Sequence, residues 1–401
     1  MNRNKIKIGL FGFGCVGKGL YSVLEKTHGL KVEIAKICVK DENKSRTIDE
    51  KYFTYDKDEL LEDPDVNVIV ELIDNSADAF DIVSKGLKNG KAVVTANKKM
   101  VSENLEELIC LQTETKTPLL YEAACCASIP LIRNFEEYYD NDLMQSFSGI
   151  MNGTTNFILT DIFRNRKKYD EALGFAKLHG YSESNPVLDV EGYDSKYKLS
   201  ILLTHAFGLI IKPEDIFNLG IQRINKFDIQ FAREKGAKIK LIARAQKLNN
   251  GGIAAFVLPE FIYANNELST VDGVDNGIVT ENYFADRNIF IGKGAGAVPT
   301  AAAVLSDLSA LTYNYKYEYK KKLQANGTFH DMDFFIDIYL RFNRDTDIYL
   351  TEFEELYEKY DSRVYSYITG KINFRKFISS DWIKNENVNV ILLNNKIEKI
   401  N

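Results

Sequence analysis

The sequence predicts an α/β fold whose first part is a Rossmann-type, doubly wound parallel sheet. Two observations carry this prediction. The β-type run Ile6–Phe11 leads into Gly12-x-Gly14-x-x-Gly17, where a helix-period pattern (Val16, Leu20, Val23, Leu24) begins. Further β-type runs at 32–39, 67–73, 91–96 and 118–124 then alternate with helical patterns at 77–88 and 99–116. Such alternation implies a parallel sheet covered on both faces. In the glycine pattern, the first allows a tight turn and the second lets backbone approach a pyrophosphate. The third lets the helix pack closely on the strand. N–H groups at the helix start then face phosphates. A glycine-rich turn in another doubly wound fold is the competing reading.

Composition narrows the function classes. The 401 residues are 45% hydrophobic and 27% charged, ordinary for globular domains, and long enough for more than one core. A net charge of −6 with both signs mixed argues against nucleic acid or an anionic membrane as partner. The apolar run at 201–211 is interrupted by Thr204 and His205 and is too short to span a bilayer. No apolar signal core precedes the first strand, and the cysteines lack metal-type pairing, so reduced thiols in a cytoplasmic protein are expected.

Ligands of such a sheet sit beyond the carboxyl ends of the strands. That singles out Asp74-Asn75-Ser76, Asn97-Lys98 and the segment from Glu122 onward. After the second strand stand Lys40, Asp41, Lys44 and Arg46. The basic residues suit the phosphate of NADP, and Asp41 suits the ribose hydroxyls of NAD. A charged surface turn is the alternative.

Two later stretches concentrate polar chemistry. YSESNPVLDVEGYDSKYKLS (181–200) places Glu183, Asp189, Glu191 and Asp194 ahead of Lys196, Lys198 and an apolar helix. Asp194 and Lys198, four apart, project from one helix face. Lys196 points elsewhere and reads as a solvated charge. On the residues alone, a surface ion pair is the favoured reading of Asp194/Lys198. In GIMNGTTNFIL (149–159), Asn152-Gly153-Thr154-Thr155 opens an apolar-periodic run with cap-type residues. Such a helix end can take a carboxylate, or be plain capping.

TANKK (95–99), GIMNGTTNFIL, the pattern E-x-[DN]-P-x-x-D-V-x-G-x-D-x-x-x-K over 183–198, and GKGAGAVPTAAAVLSDL (292–308) occur together and in order. Together they resemble the homoserine dehydrogenase family. The resemblance implies reversible NAD(P)-dependent reduction of L-aspartate 4-semialdehyde to L-homoserine, in threonine and methionine biosynthesis. It implies Lys198 as proton donor, Asp194 as the residue that holds and helps orient the reacting group, and Lys98 as a contact to both cofactor and substrate. Glu183 would bind the substrate ammonium, Asp189 would support the lysine network, and Asn152, Gly153 and Thr154 would meet the carboxylate. Cofactor contacts are implied at Gly12, Gly14, Cys15, Val16, Gly17, Lys40, Asn75, Ser76, Lys98 and Gly296. YEAACCASIP (121–130) resembles a family segment around a monovalent cation, Na+ or K+. Its implied ligands are Glu122 and the carbonyls of Cys125, Ala127 and Ile129, although relatives carry more glycine there. A homodimer or homotetramer is expected.

The expected organisation is a dinucleotide-binding domain over 1–130, completed by about 292–320. A substrate-binding, catalytic and dimerisation α+β domain follows over 131–291, and a small α+β module over 325–401. In the last, DFFIDIYLRF, YLTEFEELYEKY, RVYSYITGKI and NVNVILLNN read strand, helix, strand and strand, with a helical piece near 374–382. This resembles a shortened ACT-type module. The usual glycine after its first strand is absent, which leaves effector binding and packing both open. No histidine matches a family role, and His205 reads as a core histidine. Two other functions stay open: another NAD(P)-dependent amino-acid or hydroxy-acid dehydrogenase, and a non-catalytic nucleotide-binding sensor.

Overall fold

β1 (Ile6–Phe11) lies inside a parallel sheet, and all but one of its residues are buried. With β2 (Val32–Cys38), β3 (Phe53–Thr54), β4 (Val68–Glu71), β5 (Ala92–Thr95) and β6 (Leu119–Leu120), the order is β3-β2-β1-β4-β5-β6. Burial on both faces explains the near-continuous apolar runs of β4 and β5. The order reverses between β1 and β4, which opens a crevice at the carboxyl edge. Helices Cys15–Lys26, Ser76–Lys88 and Lys98–Thr115 make the crossovers.

The expected strand over 118–124 shrinks to β6. Glu122 turns the chain into a short 3-10 helix, Glu122–Ala124, and its carboxylate accepts the N–H groups of Ile132 (3.0 Å) and Arg133 (2.9 Å).

The computed structural model describes residues 6–140, 143–182, 185–324, 327–343 and 348–399. The chain divides into two compact units, one of residues 1–140, 200–212 and 293–324, the other of 141–199, 213–292 and 325–401. In the first unit, helix Ala297–Leu311 returns against helix Cys15–Lys26. The approach is close: a Cβ on Gly19 would lie 2.5 Å from the Ala297 carbonyl oxygen.

The second unit is built on a mixed sheet. It comprises β7 (Met144–Ile150), β8 (Phe217–Asn218), β9 (Ala237–Lys247), β10 (Ile253–Tyr263), β11 (Asp275–Asn282), β12 (Asp286–Lys293), β13 (Phe334–Phe342), β14 (Phe353–Asp361), β15 (Ser366–Asn373) and β16 (Asn389–Lys399). Their order is β12-β11-β7-β9-β10-β16-β13-β15-β14, with β8 beside β10. Helix Gly153–Asn165 packs on β9. Buried Lys240 ties its first turn down, donating to Asn156 Oδ1 (2.7 Å), the Val271 carbonyl (2.7 Å) and Asp272 Oδ1 (2.8 Å). Burial lowers the pKa of that ammonium to about 8.

The C-terminal strands share their core with β10: Phe256, Phe334 and Phe374 lie together, the last two stacked at 4.7 Å. One expectation fails here. YLTEFEELYEKY is not helical: after a 3-10 turn, Leu350–Glu352, it is edge strand β14. Phe353, Leu356, Tyr357 and Tyr360 mimic a helical stripe. However, two register shifts against β15 insert extra residues, and beyond Phe353 most of the strand is exposed. An edge strand with bulges has no burial constraint to impose period two.

Candidate active site

The first group of predicted residues gathers at the carboxyl edge of the parallel sheet. Gly12 has φ +93°, and a Cβ there would lie 2.6 Å from the Leu72 carbonyl oxygen, so only glycine makes this turn. A Cβ on Gly17 would sit 2.3 Å from the Gly12 oxygen, whereas Gly14 has open space around it. That opening is where a diphosphate can approach the backbone. Helix Cys15–Lys26 starts at Gly14 with no side-chain cap and no acidic residue in its first turn. Its N–H groups, with Cys15 and Val16 leading, keep their full positive field for an anion. The residues therefore fit a nicotinamide dinucleotide.

The adjoining strand ends are knitted together. Asn75 caps helix Ser76–Lys88 by accepting from Asp78 N–H (2.9 Å). Asn97 caps the helix beginning at Lys98 and donates to the Ile73 carbonyl (3.0 Å). Lys98 is half-buried at that helix start. Lys40 is exposed and paired with Asp78. Asp41 accepts from Asn43 N–H (2.9 Å), and Arg46 holds the Asp41 carbonyl (2.5 Å). Gly296, φ +117°, opens helix Ala297–Leu311.

Glu71 supports this edge from beneath. Its buried carboxylate accepts from Ile73 N–H (2.6 Å) and the Thr95 hydroxyl (2.5 Å). Burial pushes its pKa up to about 7, against those hydrogen bonds. The folded protein therefore holds this proton more tightly than the unfolded chain. The resulting stability is fully present below pH 4.5 and lost as pH rises through 7. Glu71→Gln is expected to remove about 3 kcal/mol of that pH dependence, read from urea unfolding midpoints between pH 4.5 and 8.

The second group meets in the second unit. Helix Tyr193–Phe207 carries Asp194 and Lys198 on one face, with side chains 5% and 7% exposed. Lys198 Nζ donates to Asp194 Oδ2 (2.7 Å) and to the Met151 carbonyl (2.6 Å). The surface-pair reading is thereby excluded. Asn152 joins the two motifs: its amide nitrogen donates to Asp189 Oδ1 (2.6 Å) and Asp194 Oδ2 (2.9 Å). Its carbonyl oxygen caps helix Gly153–Asn165 by accepting from Thr155 N–H (2.8 Å). Gly153 is required by close packing, since a Cβ would lie 2.7 Å from the Val274 oxygen. Thr154 donates to the Tyr181 carbonyl (2.5 Å). The arrangement is a buried ammonium aimed by one carboxylate and one carbonyl, with an amide holding two carboxylates in place. It can deliver a proton to an oxygen that gains charge.

Glu183, expected to bind the substrate ammonium, lies outside the described residues. Lys196 is not the solvated charge expected: it is buried with its ammonium 4.8 Å from the Tyr193 ring centroid, and burial lowers its pKa. Burial of a lysine depends on its surroundings, which residue type alone does not reveal. His205 is a satisfied core histidine, held by Tyr121 and Glu136. The Met151 carbonyl is not foreseeable from the sequence, because a backbone acceptor leaves no mark in residue type.

At YEAACCASIP, Cys126 and Ala127 take φ of 55° and 41°, so residues with side chains adopt the left-handed backbone that glycine favours. The cost is roughly 1–2 kcal/mol each. Ile129 N–H closes the turn on the Cys126 carbonyl (3.0 Å). All five cysteines are free thiols.

A cavity of about 290 Å³ lies elsewhere in the second unit, lined by Ser148, Arg244, Gln246, Glu281 and Arg287. Arg244 is paired with Glu260, and Arg287 with Glu267 and Glu281. Both arginines are thus ion-paired within the protein, and the cavity holds none of the lysine cluster.

Comparison with known proteins identifies the family. Residues 130–309 match the homoserine dehydrogenase family, and residues 12–122 match the homoserine dehydrogenase NAD-binding domain. The homoserine dehydrogenase of Lactococcus lactis is 35% identical over 314 residues, 76% of this chain and 73% of that protein. That of Bacillus subtilis is 33% identical over 320 residues, 78% of this chain and 74% of that one. Among solved structures, a homoserine dehydrogenase from Thiobacillus denitrificans superposes with TM-score 0.86 at 26% identity, covering 98% of this chain and 99% of that one. The S. aureus enzyme gives 0.74 at 28% identity, covering 98% and 100%. The order of the glycine turn, the NGTT helix cap and the Asp194/Lys198 pair thus has its explanation: the chain belongs to the homoserine dehydrogenase family.

Proposed function

We propose that Lys198 gives the proton in the NAD(P)-dependent reduction of L-aspartate 4-semialdehyde to L-homoserine, and takes it back in reverse. The observation that carries this reading is the buried Lys198 ammonium, 2.7 Å from Asp194 and 2.6 Å from the Met151 carbonyl. A bound nicotinamide supplies the hydride. As the aldehyde oxygen becomes an alkoxide, the ammonium of Lys198 stabilises it and transfers a proton from Nζ. Asp194 aims the lysine, and Asp189, tied through Asn152, holds the carboxylate set in place. Lys98 contacts cofactor and substrate. The substrate carboxylate lies at the helix start formed by Asn152, Gly153 and Thr154, and Glu183 takes its ammonium.

The finer assignments belong to the same reading. Lys40 and Arg46 favour NADP over NAD, with Gly12, Gly14, Cys15, Val16, Gly17, Asn75, Ser76 and Gly296 around the rest of the cofactor. Glu122 and the carbonyls of Cys125, Ala127 and Ile129 would hold a Na+ or K+ ion; the left-handed turn at Cys126 and Ala127 keeps a glycine-type backbone there despite the missing glycines. Residues 1–130 with 292–320 form the dinucleotide domain, 131–291 the substrate domain, and 325–401 an ACT-like module. The antiparallel order β16-β13-β15-β14, with a helix Phe374–Ser379 after β15, supports the last. The protein works in the cytoplasm as a homodimer or homotetramer.

Steady-state oxidation of NADPH and NADH with aspartate semialdehyde, against simple 2-oxo acids, tests the reading. Turnover confined to the semialdehyde is expected; equal turnover of 2-oxo acids would point to the hydroxy-acid alternative, and no turnover to the sensor. Glu183→Gln is expected to raise the Michaelis constant for the semialdehyde at least tenfold, about 1.4 kcal/mol, with kcat little changed. An unaltered constant would remove the ammonium contact.

A further inference from the structure

We infer that the segment 317–324 is a strap whose Tyr319 and Lys321, with Glu136 and His205, position the helix that presents Asp194 and Lys198. The inference rests on the proposed role of Lys198. Helix Tyr193–Phe207 is one continuous element, its first half bearing the reactive pair and its second half belonging to the first unit. That second half is gripped from several sides. His205 Nδ1 is 2.6 Å from Glu136 Oε1, and His205 Nε2 is 2.9 Å from the Tyr121 hydroxyl. Tyr121 in turn meets the Tyr319 hydroxyl at 3.0 Å. The other Glu136 oxygen accepts the N–H groups of Glu318 (3.2 Å) and Tyr319 (3.1 Å).

Lys321 closes the grip. Its ammonium, nine-tenths buried, donates to the carbonyls of His205 and Phe135, both at 3.0 Å. His205 lies in the last turn of the helix, so the lysine occupies the end where carbonyls lack partners and a positive charge is favoured. Just beyond, Gly208 (φ +71°) lies against the strap's backbone: a Cβ there would be 2.4 Å from the Lys321 oxygen. Hydrogen bonds from Ser200 to the Ile211 carbonyl (2.7 Å) and from Thr204 to the Leu209 carbonyl (3.1 Å) bind the turn that follows back to the helix.

A buried network of this kind is costly to assemble. Burial draws the Lys321 ammonium down to about 8, although Glu136 and Asp140 oppose the shift. The imidazole is fully enclosed and none of these groups belongs to the proposed proton-transfer set. What the network achieves is fixed rotation and height of the helix, and Lys198 lies only seven residues before His205 on that rod. A small slip there is amplified, because misplacement by about 1 Å can cost roughly a hundredfold in rate.

The test compares Lys321→Met and Tyr319→Phe with the parent enzyme in three measurements: kcat for semialdehyde reduction, the dissociation constant of NADPH, and amide hydrogen exchange over residues 193–199. Both variants are expected to lose kcat, roughly ten- to a hundredfold for the lysine change and less for the tyrosine. NADPH affinity should hold within about twofold, and exchange over 193–199 should quicken. If Lys321→Met does not fold, Tyr319→Phe decides alone, since it removes one oxygen and keeps the ring. Unchanged exchange over 193–199 overturns the strap. So does an unchanged kcat in an enzyme that Lys198→Ala inactivates. If Lys198→Ala instead keeps its turnover, the proton-donor reading fails while the exchange measurement still judges the strap.

Discussion

Lys198→Ala is expected to lower kcat for semialdehyde reduction by roughly 10²–10⁴-fold, the usual worth of a positioned proton donor. The variant keeps Asp194, still hydrogen-bonded to Asn152 (2.9 Å), but removes the Lys198 ammonium that it accepts from. A developing alkoxide would then lose the ammonium and keep the carboxylate as its neighbour, so stabilisation turns toward repulsion. Cofactor binding should survive, because the glycine turn is built from residues 12–17 and needs nothing from this lysine. Measuring kcat beside the NADPH dissociation constant separates a lost proton donor from a damaged cofactor site. A kcat within about threefold of the parent would rule out the proton-donor role, as general acid catalysis leaves no room for so small a loss.

Asn152→Asp should have an effect nearly as large, and a pH signature of its own. The amide nitrogen donates to Asp189 Oδ1 (2.6 Å) and Asp194 Oδ2 (2.9 Å). An ionised aspartate would replace that donor with an acceptor and set it against the carboxylates of Asp189 and Asp194. Like charges so close raise their shared proton affinity. Turnover at neutral pH should fall about a hundredfold or more. A protonated carboxyl can donate where the amide did, so the loss should shrink as pH falls toward 5. Asn152→Ala provides the control, since it has no proton to regain and its deficit should stay flat with pH. Equal pH profiles for the two variants would show that the amide caps the helix and does no more.

Much of this is legible along the chain. The glycine turn, the parallel strands after it, and the helix starting at Tyr193 follow from local rules of spacing and burial. The pairing of Asp194 with Lys198 is likewise set by helical geometry four residues apart. The β14 segment departs from its helical pattern for a complementary reason. Its side chains are largely exposed, so no buried face stamps its period on the sequence, and an aromatic stripe stands in for one.

Residue order alone establishes the family, the nucleotide turn and the pair of charged groups at a helix start, because each rests on residues close together along the chain. Whether that pair is buried, which carbonyl aims the lysine and which distant side chains hold its helix follow only from the packed fold. Asn152 reaches Asp194 across 42 positions, and Lys321 reaches His205 across 116. Burial is a property of what surrounds a residue: the same aspartate and lysine are a weak surface pair in water and a tightly held, directed ion pair once water is excluded.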